Sequence, residues 1–450
     1  TGAPPASHHD DHRNDGLPMG ATPPNDTPSR EEYKMKTKAR ALAGVVIVLI
    51  VIGGMTGPAS AQKIVHQTTA GHGVKWLDWL EEMAAIFTKK TGIEVEVIQT
   101  DSGTYGDSLL VAIAGGMPPD VGDLLVVQAG PFVEQRLVED LRPYFDRDKL
   151  DPSNWPAIAI QGNTTPDGRL WRMPAEMTIT VTYYNGDMFS EAGLANPKEL
   201  GDAWNWDTLL TSARRLTIDR TGEGRPAQYG VASLSDSIWR TMAYQAGGKF
   251  FDRSIFPTKS LFNTPPVLQA TLFRRTFSQE GLIGGGWPFE GRSAIGFSGS
   301  GHIHRYQNVV FEWNVAIMPA GPKNRATSVN ANGFQILANS QSKEEAWQWI
   351  RFLTAEPDSQ ISLVKHTGRV PAYLPVMRRY GRLPVDMKPA ENWMAFIEMG
   401  TSPDVHGPDM ISDPEISKII TRMIKQVWDG TAAPESVLES LDQVINGMLK

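Results

Sequence analysis

Along the chain, segments in which hydrophobic residues recur every second position, as in strands, alternate with segments in which they recur every three or four positions, as in helices. Residues 63–69 form a short β-type run, and apolar and polar positions alternate in residues 93–100 as on the two faces of a strand. Between these runs, residues 76–87 repeat their apolar positions every three or four residues, which predicts a helix. A turn at 115–119 precedes the apolar run 120–127, which is typical of a buried parallel strand. This part of the chain is therefore predicted to form a parallel sheet wrapped by helices.

The ends of these predicted strands indicate where a ligand would bind. In open α/β sheets, ligands lie beyond the carboxyl ends of the strands. Here those ends fall near His72, Ser102–Tyr105 and Val126–Gln128. A binding site on this first sheet is expected there.

The stretch 173–189 is the point around which the chain is organised. Its core, Ile179–Tyr184, is rich in β-branched and aromatic residues and predicts one strand, with Pro174 before it and a turn at 185–187 after it. One α/β segment precedes this stretch and a longer one follows it. We therefore expect the chain to leave one lobe here and to enter another.

The remaining sequence continues the α/β pattern. Helices are expected from Asp207, over 235–246, and from residues 342, 413 and 434. Strands are expected at 229–232, 314–319 and 334–339, with a turn at 330–333 before the last of them.

Composition narrows the possible classes of protein. The chain has 450 residues, enough for two or three domains, and a formal net charge of −7 without a visible basic stripe, so nucleic-acid binding is not expected. It contains no cysteine, which excludes disulfides, thiolate catalysis, cysteine-bound zinc and a lipid anchor on an N-terminal cysteine.

The N-terminal region is predicted to be an export signal. Residues 1–34 are rich in Pro, Asp, Asn and His and are expected to be a disordered tail, in which the cluster 8–12 is an incidental group of histidines and aspartates rather than a metal site. Met35 is the expected translation start. Residues 35–61 have the basic, apolar and small-residue regions of a signal peptide cleaved near Ala61, and an uncleaved anchor is the alternative. Either way, the rest of the chain is expected to be periplasmic or extracellular.

Four stretches in a fixed order carry a resemblance to a known family. They are "GGMPPDV" (115–121), "RMPAEMTITVTYYNGDMFSEAGLANP" (172–197), "VAIMPAGP" (315–322) and "GRVPA" (368–372). From about residue 62 to its end, the chain resembles the extracellular solute-binding proteins of ABC importers, family 1, the sugar-binding receptors such as maltose-binding protein.

The resemblance implies a fold, a function and partners. The fold would be α/β and of the two-lobed, type II periplasmic-binding-protein kind, with crossover hinge segments. Lobe 1 would comprise 62–174 and 325–367, and lobe 2 would comprise 175–324 and 368–450. A carbohydrate-like solute would bind in the cleft by hinge closure and pass to the membrane permease subunits. The protein would be a monomer and a binding protein rather than an enzyme, without cofactor or metal.

Candidate contact residues follow from what a sugar needs, namely flat aromatic rings and polar hydrogen-bonding side chains. Each has a simpler alternative: a solvated loop residue, a core tryptophan, a plain glycine turn, or, for Arg369, a structural ion pair, which is the more common role of such an arginine. The selected residues are Tyr105, Gln128, Glu176, Thr178, Trp239, Trp287, Ser298, Gly299, Ser300, Gly301 and Arg369.

Two other functions stay open at this point. The glycine loop in 291–302 has no aromatic residue directly after it, and with Arg292 and Arg305 it fits a phosphorylated polyol such as glycerol phosphate. A secreted glycoside hydrolase is the other alternative, but "GFSGSG" misses the nucleophile-elbow pattern at Ser300, and no HExxH motif is present in the sequence.

Overall fold

A computed structural model of the protein describes residues 62–449 apart from 220, 221, 223, 225 and 387. The expectations for the tail at 1–34 and for the signal peptide at 35–61 lie outside the described residues. Within the described part of the chain, no helix is long and apolar enough to cross a membrane.

The strands are short, and most of them follow the predicted runs. They are β1 (Lys63–Thr69), β2 (Glu94–Thr100), β3 (Val121–Gly122), β4 (Met173–Ile179), β5 (Val181–Asn185), β6 (Tyr229–Val231), β7 (Ser293–Ser298), β8 (Trp313–Ala316), β9 (Thr327–Ile336), β10 (Val370–Pro371) and β11 (Val405–His406).

The helices fill the segments between and after these strands. They are α1 (Val74–Thr91), α2 (Tyr105–Ala114), α3 (Val126–Glu134), α4 (Arg142–Arg147), α5 (Ala157–Gln161), α6 (Gly186–Glu191), α7 (Pro197–Leu200), α8 (Trp206–Leu216), α9 (Asp236–Gln245), α10 (Pro265–Gln279), α11 (Lys343–Ala355), α12 (Pro357–Thr367), α13 (Leu374–Met377), α14 (Met394–Thr401), α15 (Pro414–Trp428) and α16 (Pro434–Met448). Short 3-10 turns include Ala70–His72 and Ser300–Tyr306.

The described strands form two separate sheets. The larger has the order β10-β4-β9-β3-β1-β2, with β11 also paired to β9, and the smaller has the order β6-β7-β5-β8. The strands β1, β2 and β3 are parallel, as predicted for this part of the chain, whereas β9 runs antiparallel to both β3 and β4. We call the unit on the larger sheet the first lobe and the unit on the smaller sheet the second lobe.

The strand predicted at Ile179–Tyr184 is in fact two strands in two sheets. Ile179 pairs with Val329 of the larger sheet, and Val181 pairs with Ser298 of the smaller one. The chain therefore passes from one sheet to the other at Thr180. Hydrogen bonds to β9 hold this residue on both sides, from its N–H to Ser328 and to its carbonyl from Thr327.

Two further local predictions are wrong. No turn interrupts 330–333, because every residue of β9 from Val329 to Phe334 pairs with β4, across one bulge at which Ala175 of β4 has no pairing partner. The run 120–127 is a strand only at 121–122, and helix α3 begins at Val126. Asp123 supplies the physical reason: its carboxylate accepts hydrogen bonds from the side chain of Thr68 and the N–H of Thr69, so the chain turns toward the end of β1 instead of continuing in the sheet.

Large aromatic residues fill the core of each lobe. In the first lobe, Trp79 and Phe334 pack with nearly parallel rings, 6.2 Å between centroids. In the second lobe, Trp239 packs edge-on against Phe250, at 4.6 Å. These residues are fully buried, so the rings contribute to stability by removing apolar surface from water.

Candidate ligand cleft

The crossing strands β4 and β9 have one polar and one apolar face. Successive residues of a strand point to opposite faces. Glu176 and Thr178 lie on one side of β4 together with Asn330 and Asn332 of β9, as their hydrogen bonds to one another demonstrate. We call this polar side the front face. The alternate residues Ala175, Met177, Ile179, Val329 and Ala331 are buried and form the rear face.

Glu176 is the centre of the front face. It is fully buried and accepts hydrogen bonds from Arg369 (3.2 Å), Asn332 (2.5 Å) and Thr178 (3.3 Å). A buried carboxylate is tolerated only when it is paired and hydrogen-bonded, and these partners meet that requirement. Asn330 donates to Asn332 at 3.0 Å, but its own amide oxygen has no partner within the described residues. The front face therefore keeps an acceptor for a bound molecule.

Arg369 joins the front face to the carboxyl end of β1. Its guanidinium donates to Glu176 and, at 3.0 Å, to the carbonyl of His72. It also lies over the ring of Trp76, 5.3 Å from the centroid, and the His72 ring stacks on the same indole at 4.4 Å. The position of this arginine is thus fixed by charge, hydrogen bonding and a cation–π contact.

His72 and Asp123 form a buried pair at the ends of β1 and β3. The Nε2 of His72 lies 3.6 Å from the Asp123 carboxylate. Burial and the nearby charge of Arg369 hold the pKa of His72 well below its usual value, so the imidazole is neutral at pH 7 and the pair is not an ion pair. Burial also raises the pKa of Asp123 to about 6, against the hydrogen bonds that favour its charged form.

The glycine loop after β7 forms the second lobe's side of the front face. Gly299 lies so close to β4 that an added Cβ would stand 2.3 Å from the methyl group of Thr178. The carbonyl of Gly299 accepts a hydrogen bond from the Tyr183 hydroxyl at 2.9 Å, and the Ser300 hydroxyl lies 3.4 Å from the carbonyl of Met177. A side chain at position 299 would therefore push the loop away from the crossing strand.

Trp287 stands next to this loop. Its ring is half-buried and meets the His302 ring edge-on, with 4.8 Å between centroids. Burial lowers the pKa of His302 to about 4, so its imidazole is neutral at pH 7. Together, these two rings give the second lobe an aromatic surface beside the glycine loop.

A cavity of about 250 Å³ lies between the two lobes where β9 begins. It contains the pair Arg240–Asp409 and the rings of Tyr244 and His406, which stack in parallel at 4.1 Å. Burial raises the pKa of Asp409 to about 6 and lowers that of His406 to about 4. We call this space the inner cavity; its lining residues are Val127, Ser237, Arg240, Tyr244, Ser328, His406, Gly407, Pro408, Asp409, Ile411 and Ser417.

An apolar contact joins the lobes beside this cavity. Met410 and Ile255 pack into the same buried cluster as Val126 and Ala129 of α3. A Cβ added to Gly130 of α3 would stand 2.5 Å from the carbonyl oxygen of Ile411. The first lobe and the segment around residue 410 are therefore in backbone contact in this conformation.

The structure brings some of the selected residues together and separates others. Gln128 lies in α3, where its amide group is 3.5 Å from the carbonyl of Ser102. Tyr105 is fully buried and links β1 to β3 through Gln67 and Asp123, so its hydroxyl has two structural partners. Trp239 is also fully buried, and its indole N–H bonds to Thr271, so in this conformation no part of the ring reaches the cleft. The residues that adjoin the front face are Glu176, Thr178, Ser298, Gly299, Ser300 and Arg369, with Trp287 next to them. Gly301 belongs to the same loop, but a Cβ added there would have no atom within 4 Å.

Several cleft residues were not selected from the sequence. His72 lies three residues after β1, at one of the strand ends where a ligand was expected, but it was not among the candidate contact residues. Asp123 directly follows β3, inside the run that was predicted to be strand. Asn332 was assigned to a turn that does not exist. Arg240, His406 and Asp409 come from segments far apart in the chain, and no local pattern indicates that they meet.

The cleft has no cluster suited to a metal ion. Among the residues that the structure describes, no group of three or more His, Cys, Asp or Glu side chains could hold one.

Comparison with known proteins relates this chain to one family. The sequence matches the family described as bacterial extracellular solute-binding protein over residues 70–359. It is 22% identical over 421 residues to the galactooligosaccharide-binding protein of Bacillus subtilis, covering 88% of this chain and 93% of that protein. It is 20% identical over 382 residues to the sn-glycerol-3-phosphate-binding periplasmic protein of Escherichia coli K12, covering 79% of this chain and 86% of that protein.

The fold is also that of a known structure. The chain superposes on an ABC substrate-binding protein of Listeria monocytogenes in complex with cycloalternan with a TM-score of 0.73, at 23% identity, covering 87% of this chain and 99% of that one. The expected two-lobed α/β architecture is thereby confirmed.

Proposed function

The chain belongs to the bacterial extracellular solute-binding proteins, as the sequence resemblance indicated, and on this basis we propose that it is the solute receptor of an ABC importer and binds a carbohydrate-like solute between its lobes. The observation that carries the proposal is the polar front face of β4 and β9, together with Ser328, which lies on the same side of β9 as Asn330 and lines the inner cavity. Buried polar groups are costly unless they are hydrogen-bonded, and on this face the oxygen of Asn330 has no partner within the described residues, which supports a ligand rich in hydrogen-bonding groups.

The side chains of the cleft suit the hydroxyl groups of a sugar. A sugar hydroxyl both donates and accepts, and amide, guanidinium and carboxylate groups supply complementary partners. Asn330 offers a free acceptor, and Arg240 with Asp409 offers a donor and an acceptor side by side. Tyr244 and Trp287 add aromatic surface for the apolar face of a sugar ring.

Charge pairing in the cleft favours a neutral solute. Arg369 is paired with Glu176, and Arg240 is paired with Asp409. An anionic ligand would have to displace one of these carboxylates, whereas hydroxyl groups can bond to the pairs as they stand. The relatives that bind a galactooligosaccharide and cycloalternan support the same class of solute.

Closure of the lobes about the crossing strands is the proposed binding mechanism. A ligand that contacts both lobes stabilises the closed state over the open one. The lobe boundaries expected from the sequence are 62–174 with 325–367 and 175–324 with 368–450. Since β4 runs in the larger sheet as far as Ile179, the change of sheet at Thr180 supports a first hinge about five residues after the expected boundary. The loaded receptor, a monomer exported after cleavage near Ala61, would deliver the solute to membrane permease subunits.

No reaction is proposed at this site. In the glycine loop that resembles a nucleophile elbow, Ser298 holds the position of the nucleophile. It is the last residue of β7, and among the described residues its side chain has no hydrogen bond to a histidine. The carboxylates of Glu176 and Asp409 are both held by arginines. We therefore propose a binding protein without catalytic activity.

A thermal-shift screen against sugars, polyols and phosphate esters tests the proposed function. A solute present at a hundred times its dissociation constant should stabilise the protein by about 2.7 kcal/mol. A neutral saccharide is expected to give the largest shift. An unchanged melting temperature with every saccharide of the panel would contradict the proposal.

Trp287→Ala sharpens the result of the screen. Removal of an aromatic anchor should weaken saccharide binding by more than about 1 kcal/mol, because half-buried Trp side chains at a binding surface carry much of the energy. Since Trp287 is not part of the fully buried core, the melting temperature of the free protein should change little. Unchanged affinity would remove this ring from the site.

A receptor for a phosphorylated polyol is the second candidate. Arg292 and Arg305 flank the glycine loop and are exposed, and one relative of this chain binds sn-glycerol 3-phosphate. If glycerol 3-phosphate shifted the melting temperature and neutral saccharides did not, this function would replace the first.

A further inference from the structure

A cavity of about 650 Å³ lies behind the crossing strands, on the side opposite to the front face. Gly400 of α14 lines this cavity and packs against the side chain of Ile179 on the rear face. Helix α5, whose Ile158 also lines the cavity, packs on the same two strands. We call this space the rear cavity; its lining residues are Trp155, Pro156, Ala157, Ile158, Gln161, Leu374, Met377, Arg378, Ile397, Gly400, Thr401, Ser402, Pro403 and Val405.

The two walls of the rear cavity are anchored on different lobes. On one wall, the Trp155 ring packs against Phe145 of the first lobe, at 5.8 Å between centroids, and against Tyr373 beside α13, at 5.3 Å. On the other wall, α14 carries Phe396, whose ring meets that of Tyr183 of the smaller sheet at 6.4 Å. The first lobe therefore supplies one wall of the rear cavity, and the second lobe supplies the other.

The rear cavity is largely apolar but carries one charge. Trp155, Met377 and Ile397 contribute apolar surface from both walls. Among the described residues that line the cavity, Arg378 is the only one with a charged side chain. It is exposed, and its guanidinium has neither a hydrogen bond nor an ion pair within the described part of the chain. A guanidinium binds a carboxylate through two parallel hydrogen bonds, so an apolar space with an unpaired arginine at its rim fits an organic carboxylate.

The size of the rear cavity supports a small molecule as its occupant. Pockets for small molecules usually have volumes of about 300–1,000 Å³. The rear cavity lies within this range at about 650 Å³, whereas the inner cavity has about 250 Å³. Its polar lining residues Gln161, Thr401 and Ser402 are uncharged, so no carboxylate of the lining competes for Arg378.

The rear cavity and the solute cleft change width in opposite directions. They lie on opposite sides of β4 and β9, and the proposed closure turns the lobes about these strands. Separation of the lobes in front brings the two walls together behind, which narrows the rear cavity. A molecule held between these walls therefore disfavours the open conformation and favours the closed one.

We infer that the rear cavity is a second ligand site, which takes a small carboxylate with an apolar body, and that its occupant strengthens solute binding in the cleft. Arg378 pairs with the carboxylate, and the apolar lining takes up the body of the molecule. The site itself is independent of the proposed receptor function. Only the coupling rests on that function, because it requires a solute in the cleft.

Calorimetric titration of the solute-free protein with octanoate tests the site, with octanamide as the uncharged counterpart. Octanoate should bind at one site, and octanamide should bind about three- to tenfold more weakly, because it cannot form an ion pair with Arg378. Arg378→Gln should lose the same factor for octanoate and none for octanamide. Arg379→Gln is the matched control: Arg379 is exposed but does not line the cavity, so its replacement should leave both affinities unchanged.

Ala157→Trp tests the position of the site and its coupling to the cleft. Ala157 is exposed at the start of α5 and lines the rear cavity, so an indole at this position fills the space without entering the core. The variant should no longer bind octanoate. It should bind the saccharide identified by thermal shift about fivefold more tightly than the wild type, because the indole acts as a permanent occupant. Val111→Trp, at an exposed position of α2 that does not line the cavity, should change neither affinity.

Reciprocal titrations complete the test. Saturating octanoate should raise the saccharide affinity of the wild type by the same factor by which saturating saccharide raises the octanoate affinity. If octanoate does not bind, or binds equally to the wild type and to Arg378→Gln, the site is refuted while the proposed function survives. If octanoate binds without changing the saccharide affinity, or if Ala157→Trp weakens saccharide binding, the coupling is refuted. If no saccharide binds, the proposed function fails, and the octanoate titrations still decide on the rear site.

Discussion

The front and rear faces of β4 and β9 belong to the same two strands, but they are held by different interactions. On the rear face, Ile179 packs so tightly that a Cβ added to Gly400 of α14 would stand 2.4 Å from its terminal methyl group. On the front face, one residue earlier in the chain, Thr178 lies beside the charged Glu176 and the glycine loop. The two strands are thus close-packed behind and hydrogen-bonded in front.

This difference shows how a crossing segment can serve both as a hinge and as part of a ligand-binding surface. Apolar packing on the rear is non-directional and keeps α14 on the strands. Hydrogen bonds on the front are directional, and the buried oxygen of Asn330 has no hydrogen-bond partner within the described residues.

The largest effect is expected from Glu176→Ala on the front face. The substitution leaves Arg369 next to a fully buried, unfilled position, and the loss of one partner of a buried pair usually costs about 3–5 kcal/mol. The free energy of unfolding, measured by urea denaturation, should fall by this amount. Arg369→Ala in the Glu176→Ala background should cost much less than it does alone. Additive losses would mean that the two residues are not coupled.

Lowering the pH should reduce the free energy of unfolding through His406, which lines the inner cavity. Its folded pKa, about 4, lies below the unfolded value of 6.5, so the unfolded chain takes the proton first. The neutral His406 ring therefore contributes to the free energy of unfolding above pH 6.5. This contribution, roughly 3 kcal/mol, is lost as the pH falls toward 4. Asp409 opposes the change, because its raised pKa of about 6 favours the folded state in acid.

Urea unfolding at pH 7.5 and pH 4.5 measures this effect. His406→Gln should be closer in stability to the wild type at pH 4.5 than at pH 7.5, because it lacks the titrating ring. An equal difference at both pH values would contradict the assignment of a neutral, buried imidazole.

A smaller effect is expected from Ile179→Val on the rear face. Removal of one buried methylene group should lower the free energy of unfolding by about 0.5–1.5 kcal/mol. Because the residue faces away from the cleft, the dissociation constant of the saccharide identified by thermal shift should stay within about twofold. A tenfold loss of affinity would show that the two faces are not independent.

The sequence predicted the outline of the fold better than the site. Long periodic segments such as α1 and α15 were found because a helix with one buried stripe leaves a local signal. The sequence predicted a single strand at Ile179–Tyr184, because the change of sheet at Thr180 does not alter the β-type composition of the segment. The turn expected in β9 came from Asn330, Asn332 and Gly333, where turn-forming residue types serve instead as the polar front of a strand.

The site was only partly predictable, because its residues meet through tertiary structure. Arg369 and Glu176 could be chosen for their positions near the crossovers. They form an ion pair at 3.2 Å, and their contact with a ligand stays a prediction. Trp239 is of a residue type suited to contact a sugar, but its helix directs the side chain into the core of the second lobe. Side-chain burial of this kind depends on which helices pack together, and no local sequence signal carries it.

Titration calorimetry of the wild type and Asn330→Ala, with the saccharide that gives the largest thermal shift, tests the central claim most directly. Asn330 is half-buried on the front face, and its oxygen is free for a ligand. We predict one-site binding to the wild type and a loss of affinity of about tenfold in the variant, as expected for a hydrogen bond of about 1.4 kcal/mol. The free variant should lose only about 0.5–1.5 kcal/mol of unfolding free energy, the usual contribution of one hydrogen bond such as that from Asn330 to Asn332. Equal affinity of the two proteins, with the saccharide bound at one site, would contradict a ligand seated on the polar face of the crossing strands.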